Sequence, residues 1–326
     1  MTANRKKLLL PAAMAEAGWN VARAREDVET VRFEDLTPEA DFRAMLADID
    51  AVLLWGRAFR AADIAAAPAL KAVSRIGVGY DSVEVPALTA RGIPLLTAGT
   101  ANSVTVAEHA VYFMMHLAKR GFDQHALVRA GRWREKMSAP PVDLFGKTLL
   151  IIGFGRIGTR VAARCLAMEM TVLVHDPYLP EDAIRARGAI PAGDLDAALG
   201  RADFVTIHCP KTQETVGLIG AARLARMKPT AFLVNTARGG IIDEPALAAA
   251  LRAGVLAGAG LDVFASEPVE PDNPLPHLPN VITAPHMAGV SLESLDRMAI
   301  TAVQNALSVL DGRPNSENVV NREVLA

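Results

Sequence analysis

The chain has 326 residues, enough for two domains with full cores, and 51% of them are hydrophobic. A net charge of −2 at pH 7, with arginines spread along the chain, leaves no electrostatic footprint for nucleic acid or an anionic membrane. Its two cysteines, Cys165 and Cys209, make no C-x-x-C, so neither a zinc site nor any other metal site nor a disulfide framework is expected, and a reducing cytoplasm fits.

Arg5, Lys6 and Lys7 followed by three leucines have the charge order of a signal peptide, but the apolar run stops at Pro11 and Glu16 follows. The better reading is a first strand over residues 7–10. No apolar run approaches the length of a membrane span. Helical periodicity covers 38–50, a second strand 51–55, a short helix 62–67 closed by Pro68, and a third strand 72–76. That strand runs into a turn-rich loop, Gly77-Val78-Gly79-Tyr80-Asp81, whose free amides could form a small anion nest. A fourth strand spans 92–96. Strands alternating with helices over short connections predict a parallel sheet covered on both faces. Residues 104–119 predict a buried apolar helix bridging two domains, and 121–141 a more polar, extended arm that packs on a partner subunit.

The second half turns on residues 147–177. An apolar run at 148–152 predicts a strand buried on both faces. Gly153, Gly155 and Gly158 follow as G-x-G-x-x-G. The first allows the tight turn, the second lets a pyrophosphate approach the backbone, and the third lets helix and strand pack closely. The helix that starts there aims free N–H groups at phosphates. A strand at 171–175 then ends at Asp176, where a carboxylate can take the ribose hydroxyls. Later strands are predicted at 204–208, 231–235, 258–263 and 281–283, and helices at 194–199, 221–227, 244–253 and 292–311. The fold class is α/β: two Rossmann-like, doubly wound parallel-sheet domains with a cleft between them. The substrate domain, flavodoxin-like, takes 1–102 plus 292–326, and the dinucleotide domain takes 103–291.

Three residues follow successive strands of the second domain: Arg238, Glu267 and His286. Ligands of open parallel sheets bind outside the carboxyl ends of the strands, so the three should converge on the cofactor edge. Hydride transfer to a ketone needs a proton donor, which a histidine supplies near neutral pH. A carboxylate beside it orients the ring, and an arginine offers a two-pronged donor to a substrate carboxylate. The set describes a 2-oxo or 2-hydroxy acid site. His109, His116 and His125 read as packed or hydrogen-bonded side chains.

Several stretches, RIGVGYD (75–81), VAEHA (106–110), HCPKTQETVGLI (208–219), MKPTAFLVNTARGGIID (227–243), AGLDVFASEP (259–268) and LPNVITAPHMAG (278–289), resemble the D-isomer-specific 2-hydroxyacid dehydrogenase family over nearly the whole length. The resemblance implies NAD as cofactor, a homodimer built on the cofactor domain, His286 as acid/base, Glu267 as its partner and Arg238 as substrate anchor. It places Gly153, Gly155, Arg156, Ile157, Gly158, Asp176, Cys209, Pro210, Thr236, Ala237 and Asp262 along the cofactor, and Val78, Gly79 and Asn102 on the substrate side. Asp176 favours NAD over NADP by repelling a 2′-phosphate. Glyoxylate, hydroxypyruvate and 3-phosphohydroxypyruvate (with 3-phosphoglycerate as its reduced partner) are the candidate substrates.

Departures bear on the substrate. Lys211 stands where a leucine is usual. Trp55 aligns where phosphoglycerate dehydrogenases carry an arginine, which weighs against a phosphorylated substrate, although Arg57, Arg60 and Arg75 could substitute. The chain ends after the last helix, so a C-terminal regulatory domain is not expected. Formate dehydrogenases share the pattern but have glutamine at the place of Glu267, which argues against that activity. The alternative of another class is an NAD-sensing, corepressor-like regulatory protein without turnover.

Overall fold

Short apolar runs become parallel strands in two separate sheets. The computed structural model describes residues 5–138 and 140–325. They divide into two units, Met1–Asn102 with Val290–Ala326, and Ser103–Gly289.

The first unit holds β1 (Lys6–Pro11), β2 (Val28–Phe33), β3 (Ala51–Leu54), β4 (Ala72–Arg75) and β5 (Leu95–Leu96), in the order β2-β1-β3-β4-β5. All pairings are parallel. One face carries Phe33, Phe42 and Phe59 among a core that includes Leu9 and Leu54. The other packs Leu8, Leu10 and Leu53 beneath helices Glu16–Arg23 and Leu292–Leu310. Those helices approach closely because Gly18 has no side chain; a Cβ there would lie 2.8 Å from that of Ala299. β2 has no counterpart in the sequence reading. Its V-E-T-V-R-F buries only Val28 and Phe33, as an edge strand can, and its charges hide it from an apolar-run search.

The chain returns after helix Leu292–Leu310 to close the β5 edge. Val320 N donates to Leu95 O (2.8 Å), and Thr97 N to Asn318 O (3.0 Å). Asn321, 2% exposed, accepts from Leu95 N (2.8 Å) and donates to Ile93 O and Thr89 Oγ1 (both 3.0 Å). These bonds satisfy a short edge that would otherwise leave buried backbone groups unpaired.

The second unit holds β6 (Thr148–Ile152), β7 (Thr171–His175), β8 (Ile190–Pro191), β9 (Phe204–Ile207), β10 (Phe232–Asn235), β11 (Gly258–Leu261) and β12 (Val281–Thr283). The order is β12-β11-β10-β9-β6-β7-β8, again all parallel. The chain reverses direction across the sheet between β6 and β9. That switch point opens a crevice at the carboxyl ends of the two strands. Helix Ser103–Lys119 packs on β10 and β11, and helix Gly158–Ala167 lies beside it. The opposite face is covered by helices Leu195–Arg201 and Glu244–Arg252.

The segment expected as an extended arm is helical instead. It forms helix Gly121–Arg129 and a 3₁₀ turn at Trp133–Glu135. Strong helix formers (Gln124, Ala126, Leu127) and an Arg120–Asp123 ion pair at its start favour the helix over an extended chain. It buries no residue, and Phe122, Val128, Trp133 and Met137 are exposed. Among the described residues no helix is long and apolar enough to cross a membrane, and no group of three or more His, Cys, Asp or Glu could hold a metal.

β9 ends at His208. The residue is half-buried, with Nδ1 closed off without a hydrogen-bond partner and Nε2 3.0 Å from Thr206 Oγ1. Burial pushes the imidazole down to about 3. The unfolded chain therefore takes a proton near pH 6.5 that the folded chain refuses. Stability is full above that pH and falls as pH drops from about 6.5 toward 3, with a slope approaching ~1.4 kcal/mol per pH unit.

Two expectations follow. Asn321→Ala strands Leu95 N and should cost about 2–3 kcal/mol in urea unfolding; a loss within ~0.5 kcal/mol would deny the clamp. His208→Asn should lose less stability than the parent between pH 7 and pH 5, read from thermal midpoints, whereas parallel pH curves would contradict a buried neutral imidazole.

Candidate active site

The glycine loop after β6 is fixed by contact. Gly153 has φ +92°, and a Cβ there would meet Cys209 N at 2.5 Å. A Cβ on Gly158 would meet Gly153 O at 2.2 Å. Gly155 differs: nothing lies within 4 Å of its Cβ position, so the backbone there is open to a ligand. Arg156 is exposed beside it, and Ile157 packs into the core under helix Gly158–Ala167. Gly153, with its positive φ, makes the turn expected of it and is also closed in by Cys209, Gly158 packs against Gly153, and Gly155 alone is open.

Asp176 follows β7 and holds this loop. Its Oδ2 accepts from Phe154 N (2.8 Å) and its Oδ1 from Tyr178 N (3.0 Å). Each oxygen keeps a second lone pair for a hydroxyl. A cavity of about 680 Å³ opens between these residues, lined among others by Gly153, Gly155, Asp176, His208, Cys209 and Pro210. Burial pushes the Cys209 thiol up to about 11, so it lines the wall as a neutral group. Thr236 Oγ1, after β10, and His208 Nδ1 are buried polar atoms without hydrogen-bond partners. An open glycine at a helix N-terminus, a cavity beside a carboxylate, and unsatisfied polar atoms fit a dinucleotide.

The three candidate side chains, Arg238, Glu267 and His286, lie on the loops after β10, β11 and β12, three neighbouring strands. Glu267 Oε2 is 2.7 Å from His286 Nδ1, while Glu267 Oε1 accepts from Phe264 N (2.9 Å). The carboxylate is thus anchored at one oxygen and holds the ring at Nδ1 with the other, so Nε2 is the ring nitrogen outside this pair. The His286 side chain is 48% exposed, so the ring is accessible. Its backbone is left-handed, φ +55°, a conformation that costs energy in a non-glycine residue.

Asp262 holds it there. This carboxylate is 1% exposed and accepts from Met287 N (2.7 Å) and Ala288 N (2.9 Å), while His286 N donates to Asp262 O (2.8 Å). Burial raises its pKa, and the two amides and His109 pull the other way. Asp262, a cofactor-side candidate, also accepts a hydrogen bond from the histidine loop at each of its oxygens.

Arg238 is set by Asn235, which is 2% exposed. The Asn235 amide accepts from Ala237 N (3.0 Å) and donates to Arg238 O (2.9 Å). The guanidinium Nη1 donates to Ala237 O (2.7 Å). Gly239 follows because the loops touch: a Cβ there would lie 1.8 Å from Phe264 O. The structure therefore pairs Glu267 with His286 directly and puts Arg238 on the loop of the adjoining strand.

In the first unit, Arg75 Nε donates to Gly79 O (3.0 Å), and Ala98 N donates to Gly77 O (2.8 Å), which shapes the loop carrying Val78 and Gly79. Asn102 Oδ1 is buried without a hydrogen-bond partner. Arg57 is committed to the fold: Nη1 donates to Thr37 O (2.7 Å) and the group lies over the Phe42 ring.

Sequence reasoning missed Asn235, the anchoring role of Asp262, and Glu244, which accepts from Ala265 N and Asn273 Nδ2 and so braces the Glu267 loop. For Asn235 a signal existed: an amide side chain directly after an apolar strand is placed to bond its own following turn.

Residues 111–288 match the family model described as D-isomer specific 2-hydroxyacid dehydrogenase, NAD binding domain. The chain is 40% identical over 311 residues to D-3-phosphoglycerate dehydrogenase of Mycobacterium leprae, covering 93% of this chain and 58% of that protein. It is 41% identical over 263 residues to glyoxylate reductase of Korarchaeum cryptofilum, covering 80% and 79%. Among solved structures it is similar to a glyoxylate reductase from Paecilomyes thermophila, with TM-score 0.86, 28% identity, and coverage of 98% and 99%. The chain spans about half the length of the curated phosphoglycerate dehydrogenases it matches. The family match covers the glycine loop, the Glu267–His286 pair and Arg238, and this chain belongs to the D-isomer specific 2-hydroxyacid dehydrogenase family.

Proposed function

We propose that this protein is an NAD-dependent D-2-hydroxyacid dehydrogenase that reduces short 2-oxo acids or oxidises their D-hydroxy acids. The observation that carries the reading is the 2.7 Å Glu267–His286 pair at the strand-end edge that also bears the open Gly155. NADH, when bound, supplies the hydride. Gly155 and the helix N-terminus behind it receive the pyrophosphate, Asp176 takes the ribose hydroxyls, and Arg156, Ile157, Cys209, Pro210, Thr236, Ala237 and Asp262 border the cofactor.

The chain's own residues handle the acid. Arg238 grips its carboxylate; the Val78 and Gly79 amides and Asn102 are the substrate-side candidates of the first unit. Protonated His286 donates from Nε2 to the substrate oxygen as it gains charge, and Glu267 stabilises the imidazolium through Nδ1. In the oxidative direction the same nitrogen takes the hydroxyl proton. Glyoxylate, hydroxypyruvate and 3-phosphohydroxypyruvate are the candidate substrates. The first unit is the substrate domain and the second the NAD domain.

The exposed Phe122, Trp133 and Met137 support a homodimer built on the second unit, since such apolar surface is usual at subunit contacts. A cytoplasmic setting agrees with two unpaired cysteines.

His286→Ala should lower kcat for glyoxylate or hydroxypyruvate reduction by roughly 10²–10⁴-fold, with NADH affinity, read by fluorescence titration, nearly intact. Arg238→Ala should instead act mainly on substrate use, lowering kcat/KM by roughly 10–100-fold. Near-normal turnover of the histidine variant would remove it from the chemistry.

A further inference from the structure

Lys211 is the cation that the mechanism leaves unused. It follows β9 in His208-Cys209-Pro210-Lys211-Thr212. Pro210 and Thr212 line the dinucleotide cavity, but Lys211 between them does not. Its side chain turns the other way, onto the Arg238-Gly239-Gly240 loop. The ammonium lies 3.1 Å from the position a Cβ would take on Gly240, and Cε lies 3.4 Å from it. Gly240 has φ +82° and no side chain, which leaves room for the lysine to lie across the loop.

The turn that presents Lys211 is pinned. Thr215 Oγ1 donates to Pro210 O (2.7 Å) and accepts from Thr212 N (2.7 Å). Gly217 N donates to Gly240 O (2.8 Å), which ties the two loops together. Lys211 is exposed and has no ion-pair partner among the described residues. An unneutralised ammonium that lies against Gly240, two residues along the chain from the carboxylate anchor Arg238, is placed for an anion beyond that carboxylate.

We propose that Lys211 is a specificity-determining residue that binds a second anionic group on the substrate, so that dianionic 2-oxo acids are preferred over monoanionic ones. The proposal rests on the function proposed above. A phosphate ester and a second carboxylate share the required charge. The absence of an arginine at Trp55 then matters less, because the second unit carries a cation of its own.

The test compares kcat/KM of the full chain for 3-phosphohydroxypyruvate, oxaloacetate and glyoxylate, with NADH, in the parent, Lys211→Leu and Lys211→Arg. In Lys211→Leu the ratio of phosphorylated acid to glyoxylate should fall roughly five- to tenfold, mainly through KM, as for one exposed charge-assisted contact. Lys211→Arg should retain most of the ratio. Raising ionic strength should erode the preference in the parent and leave it flat in Lys211→Leu. A matching fall for oxaloacetate would make the site one for any second anion; a fall for the phosphorylated acid alone would make it a phosphate site. Both support the proposal. An unchanged ratio, or an equal fall for all three acids, overturns it while leaving the dehydrogenase reading intact. No turnover of any acid by the parent overturns both.

Discussion

The buried carboxylate of Asp262 is the constraint on which the site depends. A charge taken out of water must be paired or hydrogen-bonded, and here two backbone amides, Met287 N and Ala288 N, meet its two oxygens. Those amides belong to the loop of His286, so satisfying the carboxylate fixes the loop. Asp262 N in turn donates to Asn235 O (3.0 Å), and Asn235 shapes the Arg238 turn. One chain of hydrogen bonds therefore runs from the acid/base candidate His286 to the proposed anchor Arg238 through the ends of β10, β11 and β12. It also holds His286 in a left-handed conformation that an isolated histidine seldom adopts.

Close backbone approach is the second requirement, and glycine meets it. β11 reads Gly-Ala-Gly-Leu, a poor strand sequence by propensity. Its reason is close contact on two sides: a Cβ on Gly260 would lie 2.9 Å from Phe113 of the helix above, and one on Gly258 would lie 2.6 Å from Asn280 O, just before β12. Gly239 plays the same part between the Arg238 and Glu267 loops, and Gly153 between the glycine loop and Cys209. Packing and site geometry are thus one problem: the sheet can place three side chains on one edge only because its loops touch without side chains between them.

Much of this was legible in the sequence. The strands of the second unit are continuous apolar runs, so β6, β7, β9, β10, β11 and β12 stand at their expected places, ending within two residues of expectation. The glycine spacing and the three polar residues after successive strands point to one sheet edge, and the structure sets the Glu267–His286 pair and Arg238 on loops at the ends of neighbouring strands there. Less legible were features that local pattern does not encode. β2 is half charged because it lies at an edge. Residues 121–129 are helical yet bury nothing, so no apolar stripe announces the helix. Asp262 and Asn235 look like ordinary polar residues until tertiary contact shows which amides they meet. Asp176, expected to face a ribose, also accepts from Phe154 N, a bond that exists only when β6 and β7 pair.

The most direct test of the central claim follows label. The protein is given NADH deuterated at nicotinamide C4 on the transferred face, with glyoxylate and hydroxypyruvate, and the products are read by NMR and chiral analysis. Deuterium at C2 of the product, with only the D isomer from hydroxypyruvate, is the result the account predicts. Product without C2 deuterium, or an L or racemic product, would contradict it.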